Sequence, residues 1–314
     1  MDRVVVDTDV EVATLHFIAS RRGHLLLHSG GATAADGWTV VVHGASGAGK
    51  TTLTTALVQS GLAYVTDETV CLDPDTLIIE PFRKPLTVKP GSQELLAHLA
   101  PPTDEVSEGS GNWQLPPKRL GGPDLPDAPL HPAVIVFPDF DPDRTDVSTT
   151  TVSPARAAFV LGEQSSAMWA IEPRPLAAIA RLVTTVPAFK VSYGNAFDAA
   201  PLIISDLMDA ARPSGLEAPS NSPEPAPTGT AGPRRAEGVD WLLLEGEAVL
   251  FDGEHLHHLD GPGAAIWIAL DGELDLPGVA AELANHYGAD ADSVLLDVED
   301  LARVLSARNL IDQP

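Results

Sequence analysis

Short apolar runs recur through the first part of the chain, each bounded by glycine, proline or acidic residues. Val4–Val6, Val10–Ile18 and His24–His28 alternate and predict strands. Trp38–His43 predicts a buried strand, and Thr51–Val58 a helix with an apolar stripe. Gly61–Glu68 predicts a helix end followed by a strand, and Ala133–Phe137 a further strand closed by Pro138 and Asp139. Strands alternating with helices predict an α/β layer. Residues 100–130 are rich in proline and glycine and predict a loop or lid.

Beyond residue 212 the pattern changes. Residues 213–235 carry Pro213, Pro219, Pro223, Pro225, Pro227 and Pro233 among small polar residues, which predicts a flexible, partly extended tether. Past it, Trp241–Leu244, Ala248–Phe251 and His255–Leu259 predict three short strands joined by tight turns at 245–247 and 252–254. Three helices follow. Ala264, Ile266, Trp267 and Leu270 mark the first, Val279, Leu283 and Tyr287 the second, and Val294, Leu295, Val298, Leu301, Val304 and Leu305 the third. The division predicted is residues 1–212, a linker at 213–235, and a small α+β unit of winged-helix type at 236–314.

Composition narrows the function. Of 314 residues, 44% are hydrophobic, enough for two cores. The net charge is −25, with −10 in residues 1–212 and −15 in residues 236–314. Such a surface argues against nucleic acid and against an anionic membrane as partners. Cys71 is the single cysteine, so neither an intrachain disulfide nor a cysteine metal cluster is available. No run is apolar and long enough to span a bilayer, and the first residues lack a signal pattern, so a cytoplasmic location is expected.

Gly44-Ala45-Ser46-Gly47-Ala48-Gly49-Lys50-Thr51 fits the phosphate-binding loop pattern at every position. Its glycines let successive N–H groups face a phosphate chain, Lys50 reaches the β and γ phosphates, and the Thr51 hydroxyl suits Mg²⁺. Gly44, Ser46, Gly47, Ala48, Gly49, Lys50, Thr51 and Thr52 form the candidate nucleotide site, with ATP and Mg²⁺ as expected cofactors. Asp67 and Glu68 end the strand after the loop's helix. Carboxylates there bind the metal or accept a proton from an attacking hydroxyl; they equally suit a polar strand-end turn. Asp139 has the same two readings, metal carboxylate or turn. Arg83, Lys84 and Lys89 read as a solvated basic strand edge, or as groups steering a phosphate or a peptide carboxylate. His255, His257 and His258 invite a metal, but no partner stands at a known ligand spacing.

His28, the loop and the stretch from Leu53 to Glu68 resemble the HPr kinase/phosphorylase-like family. Pro81–Lys89 and Pro187–Gly194 are weaker echoes, and the likeness covers about residues 10–205. It implies a P-loop kinase fold, Asp67 as the base that activates an acceptor serine, Glu68 assisting with Mg²⁺, and His28 lining the phosphate site. The chain departs from the bacterial enzymes in lacking room for their separate N-terminal domain and their second glycine- and arginine-rich signature. It looks more like the shorter kinase relatives of peptide-modification pathways.

Leu259–Trp267, Leu270–Glu273 and the closing Val298–Leu310 helix resemble the PqqD-like family over about residues 239–312. The resemblance implies β-augmentation, in which a leader peptide adds a strand beside the third strand and packs on the last helix. Carried over, the peptide groove comprises His255, Leu256, His257, His258, Leu259, Leu301, Val304 and Leu305. At least one of the last three is expected in the core. Together these features predict an ATP-dependent kinase acting on a serine or threonine of a ribosomally made precursor peptide. A small-molecule kinase, for instance of free serine, and an ATP-gated peptide scaffold are the alternatives; homo-oligomerisation stays open.

Overall fold

A computed structural model of the chain describes residues 7–102, 106, 109–164, 175–208 and 229–312. It divides into two units, residues 1–153 with 160–218, and residues 154–159 with 219–314. In chain order the first elements are α1 (Asp7–Ser20), β1 (Leu25–Leu27), β2 (Ser29–Thr33), β3 (Trp38–His43), α2 (Lys50–Gln59), β4 (Ala63–Thr66), β5 (Val70–Leu72), β6 (Ile79–Glu80), β7 (Leu86–Val88) and α3 (Pro90–Gln93). Then come β8 (Trp113–Leu115), β9 (His131–Phe140), β10 (Ser148–Val152), α4 (Pro154–Glu163), α5 (Pro175–Thr185), β11 (Ala188–Tyr193) and α6 (Ala196–Leu202).

Six strands form a mixed sheet in the order β10-β11-β9-β3-β2-β4. Its centre is parallel, β3 on β9 and β9 on β11, and its flanks are antiparallel. Val40, Val41 and Val42 are all fully buried, so β3 is covered on both faces, which is why its sequence is a continuous apolar run. Leu53, Ala56 and Leu57 of α2 pack with Val40, Val42, Val134 and Val136. An α/β layer is therefore present. Two smaller sheets, β1-β5-β6 and β7-β8, complete the unit.

Three expectations change here. Val10–Ile18 lies in α1, not in a strand. Val10, Thr14, Phe17 and Ile18 recur at helical spacing, Val10 is buried, and Phe17 and Ile18 pack on Leu26 and Cys71. Asp7 fixes the start of this helix by accepting from Asn112 Nδ2 at 2.9 Å and Gln114 Nε2 at 2.7 Å. Val4–Val6 lies outside the described residues. Asp139 is not a turn: β9 runs on through Pro138 to Phe140, paired with β11. The stretch from 100 to 130 contributes β8, paired with β7, and a 3₁₀ turn at Pro117–Leu120.

The second unit holds β12 (Arg234–Arg235), β13 (Asp240–Leu244), β14 (Glu247–Phe251), β15 (Leu256–Leu259), α7 (Gly261–Ala269), α8 (Leu276–Tyr287), α9 (Ala291–Ala307) and β16 (Ile311–Asp312). The β13–β14 turn puts Glu245 at φ 50° and Gly246 at φ 85°, the left-handed pair a two-residue hairpin needs. Each helix starts on an aspartate whose side chain accepts from the backbone: Asp260 from Gly263, Asp275 from Gly278 and Asp290 from Ser293. Part of this unit's negative charge thus caps helix N-termini. Trp267, fully buried, packs with Leu250, Val279, Val298 and Leu305.

Of the expected tether, residues 213–228 lie outside the described residues. Residues 229–235 are built into the second unit instead. Ala231 N and Gly232 N donate to Gly272 O, and β12 pairs with β16. Arg235 is buried, donates to the carbonyls of Trp267 and Ile268 at the end of α7, and lies over the Trp241 ring. No helix among the described residues is long and apolar enough to cross a membrane.

Candidate functional site

The glycine-rich loop runs from the end of β3 into the first turn of α2, the strand–loop–helix context its sequence predicts. Gly47 and Gly49 adopt φ 87° and 94°, a conformation that turns backbone N–H groups inward and that L side chains resist. Lys50 folds back across the loop, donating from Nζ to Gly44 O at 2.6 Å and to Ala45 O at 3.2 Å. Burial lowers the Lys50 pKa; Glu68 pulls it back up, Lys89 lowers it and Asp67 raises it.

A cavity of about 140 Å³ opens at the loop. It is lined by His28, Ser46, Gly47, Gly49, Lys50, Thr51, Thr52, Asp67 and Glu68, so residues far apart in sequence meet at one place. Gly44 and Ala48 do not line it; the loop holds them together, with Gly44 close to the Ala48 Cβ. Thr87, Lys89 and Ser92 also line it, and nothing in their own spacing marked Thr87 or Ser92.

The two adjacent carboxylates are not equivalent. Asp67 is buried: Oδ1 accepts from the Tyr64 hydroxyl at 2.8 Å and meets Lys84 Nζ at 2.7 Å, while Oδ2 accepts from Thr87 N at 3.1 Å. Oδ2 therefore keeps one lone pair uncommitted, on a residue that lines the cavity. Burial and the Asp67 charge push the Tyr64 hydroxyl well above its ordinary pKa, so it stays a donor. Glu68 is half-buried, with Oε1 3.3 Å from His28 Nδ1 and Oε2 3.8 Å from Lys84 Nζ. Burial raises its pKa, but His28, Lys84 and Lys50 outweigh burial and hold the carboxyl below its usual range. Lys84 corrects the strand-edge reading. Its side chain is 2% exposed, because it neutralises the buried Asp67. Arg83 is exposed, and Lys89 reaches Ser46 Oγ at 3.4 Å.

The oxygen donors Thr51, Asp67 and Glu68 form a hard donor set around one cavity, and such a set fits Mg²⁺. Asp139 does not join it. Its Oδ2 accepts from Ser192 at 2.7 Å and pairs with Lys190 at 2.9 Å, which holds it below the usual carboxylate range.

Behind the loop, His43 is fully buried between Ser29 Oγ, 2.8 Å from Nδ1, and the Val160 carbonyl, 3.0 Å from Nε2. A carbonyl only accepts, so Nε2 carries the proton and Nδ1 accepts from Ser29. Burial lowers the His43 pKa to about 4, against the opposing bond to Val160. The unfolded chain then binds this proton near pH 6.5 and the folded chain only near 4. Stability is complete above pH 6.5 and falls as pH drops from 6.5 toward 4. Between pH 7 and 5 this site is expected to lose about 2 kcal/mol, and His43→Gln to remove that part of the pH slope in urea unfolding.

In the second unit, β15 pairs with β14 and is the sheet's edge strand among the described residues. A cavity of about 360 Å³ lies beside it, and its lining includes Leu256, His257, His258, Leu259, Leu301, Val304 and Leu305. His255 precedes the strand and does not line this cavity. Leu305 is core at 2% exposure, Leu301 packs against the core, and Val304 is 48% exposed. Arg308 and Leu310 join the lining, and Arg308 Nη1 lies 2.8 Å from His257 Nδ1. His255 and His257 both face Asp252 Oδ2, at 3.9 and 3.1 Å, and His258 pairs with Glu247 at 3.1 Å. They do not converge on one metal position.

A comparison with curated proteins found no match to this chain. Residues 247–311 match the family model described as "Coenzyme PQQ synthesis protein D (PqqD)", a match that covers β14, β15 and the three helices. Over those residues the chain therefore carries a PqqD-type domain.

Proposed function

We propose that the chain is an ATP-dependent kinase that phosphorylates a serine or threonine hydroxyl of a ribosomally made precursor peptide. The observation that carries this reading is one cavity holding the glycine-loop Lys50 opposite Asp67 and Glu68, on a chain with a PqqD-type domain. The loop N–H groups and Lys50 bind the triphosphate, and Lys50 stabilises charge on the transferring oxygens. The peptide hydroxyl oxygen forms a bond to the γ-phosphorus as the bridging bond to the β-phosphate breaks, and ADP leaves. Asp67 Oδ2, with its open lone pair, takes the hydroxyl proton. Lys84, Tyr64 and Thr87 N hold Asp67 in position. Thr51 and Glu68 would hold Mg²⁺, which supplies charge neutralisation at the β and γ oxygens when bound, while the one open lone pair of Asp67 is committed to the proton.

The edge strand β15 and the adjoining cavity, whose leucine and valine walls alternate with Arg156, His257, His258 and Arg308, support leader docking by strand addition, with side chains of the leader lying toward Val304 and Leu301. Covalent linkage of the peptide-binding unit to the kinase unit raises the effective concentration of the bound peptide. Val304→Asp tests this at an exposed position. It is expected to lower kcat/KM for a precursor peptide by about tenfold while ATP hydrolysis without peptide is unchanged. Equal activity of the variant and the parent on the peptide would remove Val304 from leader docking.

A further inference from the structure

A second cavity, about 340 Å³, shares Gly47, Gly49, Thr52 and Ser92 with the phosphate cavity and differs from it in chemistry. None of its lining residues carries a charge at neutral pH. Leu95, Phe140, Tyr193 and Phe197 supply its walls. Leu95 is 47% exposed and Phe140 38%, so two large apolar side chains stand open beside the glycine loop. The Phe140 and Tyr193 rings, both in the lining, are tilted at 49° with centroids 6.0 Å apart. The Tyr193 hydroxyl is buried without a hydrogen-bond partner among the described residues, and it lies 2.9 Å from where a Cβ on Gly49 would sit. A buried unpaired hydroxyl is costly unless a ligand supplies the acceptor.

The two cavities give the loop a direction. Lys50 and both carboxylates line only the smaller one, which makes it the γ-phosphate end. The α-phosphate end then leaves the loop at Gly49 and Thr52, where the uncharged aromatic cavity begins. We propose that this cavity is the nucleoside subsite: a purine base stacks against Phe140, and the Tyr193 hydroxyl donates to an oxygen where the ribose joins the phosphates. The assignment rests on the kinase reading of the loop and deepens it. It also sends the acceptor hydroxyl to the opposite side, past His28 and Glu68.

The test compares binding of Mg·ATP with that of Mg·tripolyphosphate to the full chain by titration calorimetry. The parent is expected to bind ATP at least about tenfold more tightly than tripolyphosphate. Phe140→Ala should weaken ATP by about tenfold and leave tripolyphosphate within about twofold, because stacking on one aromatic ring is the interaction removed. Phe140→Trp should keep ATP affinity. Equal affinity of the parent for both ligands would overturn the subsite, as would a Phe140→Ala loss shared equally by both or absent from both. A parent that binds neither ligand would overturn the phosphate-loop reading and the subsite with it.

Discussion

Asp67→Asn is expected to slow phosphoryl transfer to a peptide hydroxyl by about 10²–10⁴-fold, the range that a positioned general base contributes. The amide keeps an acceptor oxygen for the Tyr64 hydroxyl, whose bond to Asp67 is 2.8 Å. It cannot take the proton. Lys50 and the loop N–H groups are untouched, so Mg·ATP affinity should fall far less than turnover. Single-turnover kinetics alongside an ATP titration separates the two effects. A matching loss in binding and rate would assign Asp67 to ground-state binding. No loss in either would remove it from the chemistry and favour the scaffold alternative.

Lys84→Met should have the largest effect on stability. The Lys84 and Asp67 side chains are each 2% exposed and 2.7 Å apart. Removing one partner of a buried pair leaves the other charge without compensation, at about 3–5 kcal/mol. The remaining bonds from Tyr64 and Thr87 N soften the cost without removing it. Urea unfolding measures it. Combining Lys84→Met with Asp67→Asn should recover part of the loss, because the stranded charge is then gone. A single variant that unfolds at the parent's midpoint would mean that the pair is not the buried element described.

The readable parts of this chain were those whose information is local. The glycine spacing of Gly44–Thr51, the apolar run of β3 and the helix period of α9 each follow from neighbouring residues, and each is found where the pattern places it. Val10–Ile18 was ambiguous because its apolar residues serve two periods, and only the buried surface of Leu26 and Cys71 selects the helix. Lys84 carried no local sign of burial. Its environment is set by Asp67, which the fold brings to it from the bend after β4. The donation of hydrogen bonds from Arg235 to the carbonyls at the end of α7 is likewise a long-range contact inside a stretch whose composition reads as linker. The aromatic cavity draws its walls from Leu95, Phe140 and the Tyr193–Phe197 turn, separated along the chain, so no single motif contains it.

The most direct test of phosphoryl transfer to a peptide hydroxyl is mass spectrometry of candidate precursor peptides after incubation with the full protein, ATP and Mg²⁺. One phosphate should be gained on a serine or threonine, with no gain for Asp67→Asn and a reduced one for Val304→Asp. A protein that binds both ATP and peptide yet leaves every serine and threonine unmodified would contradict it.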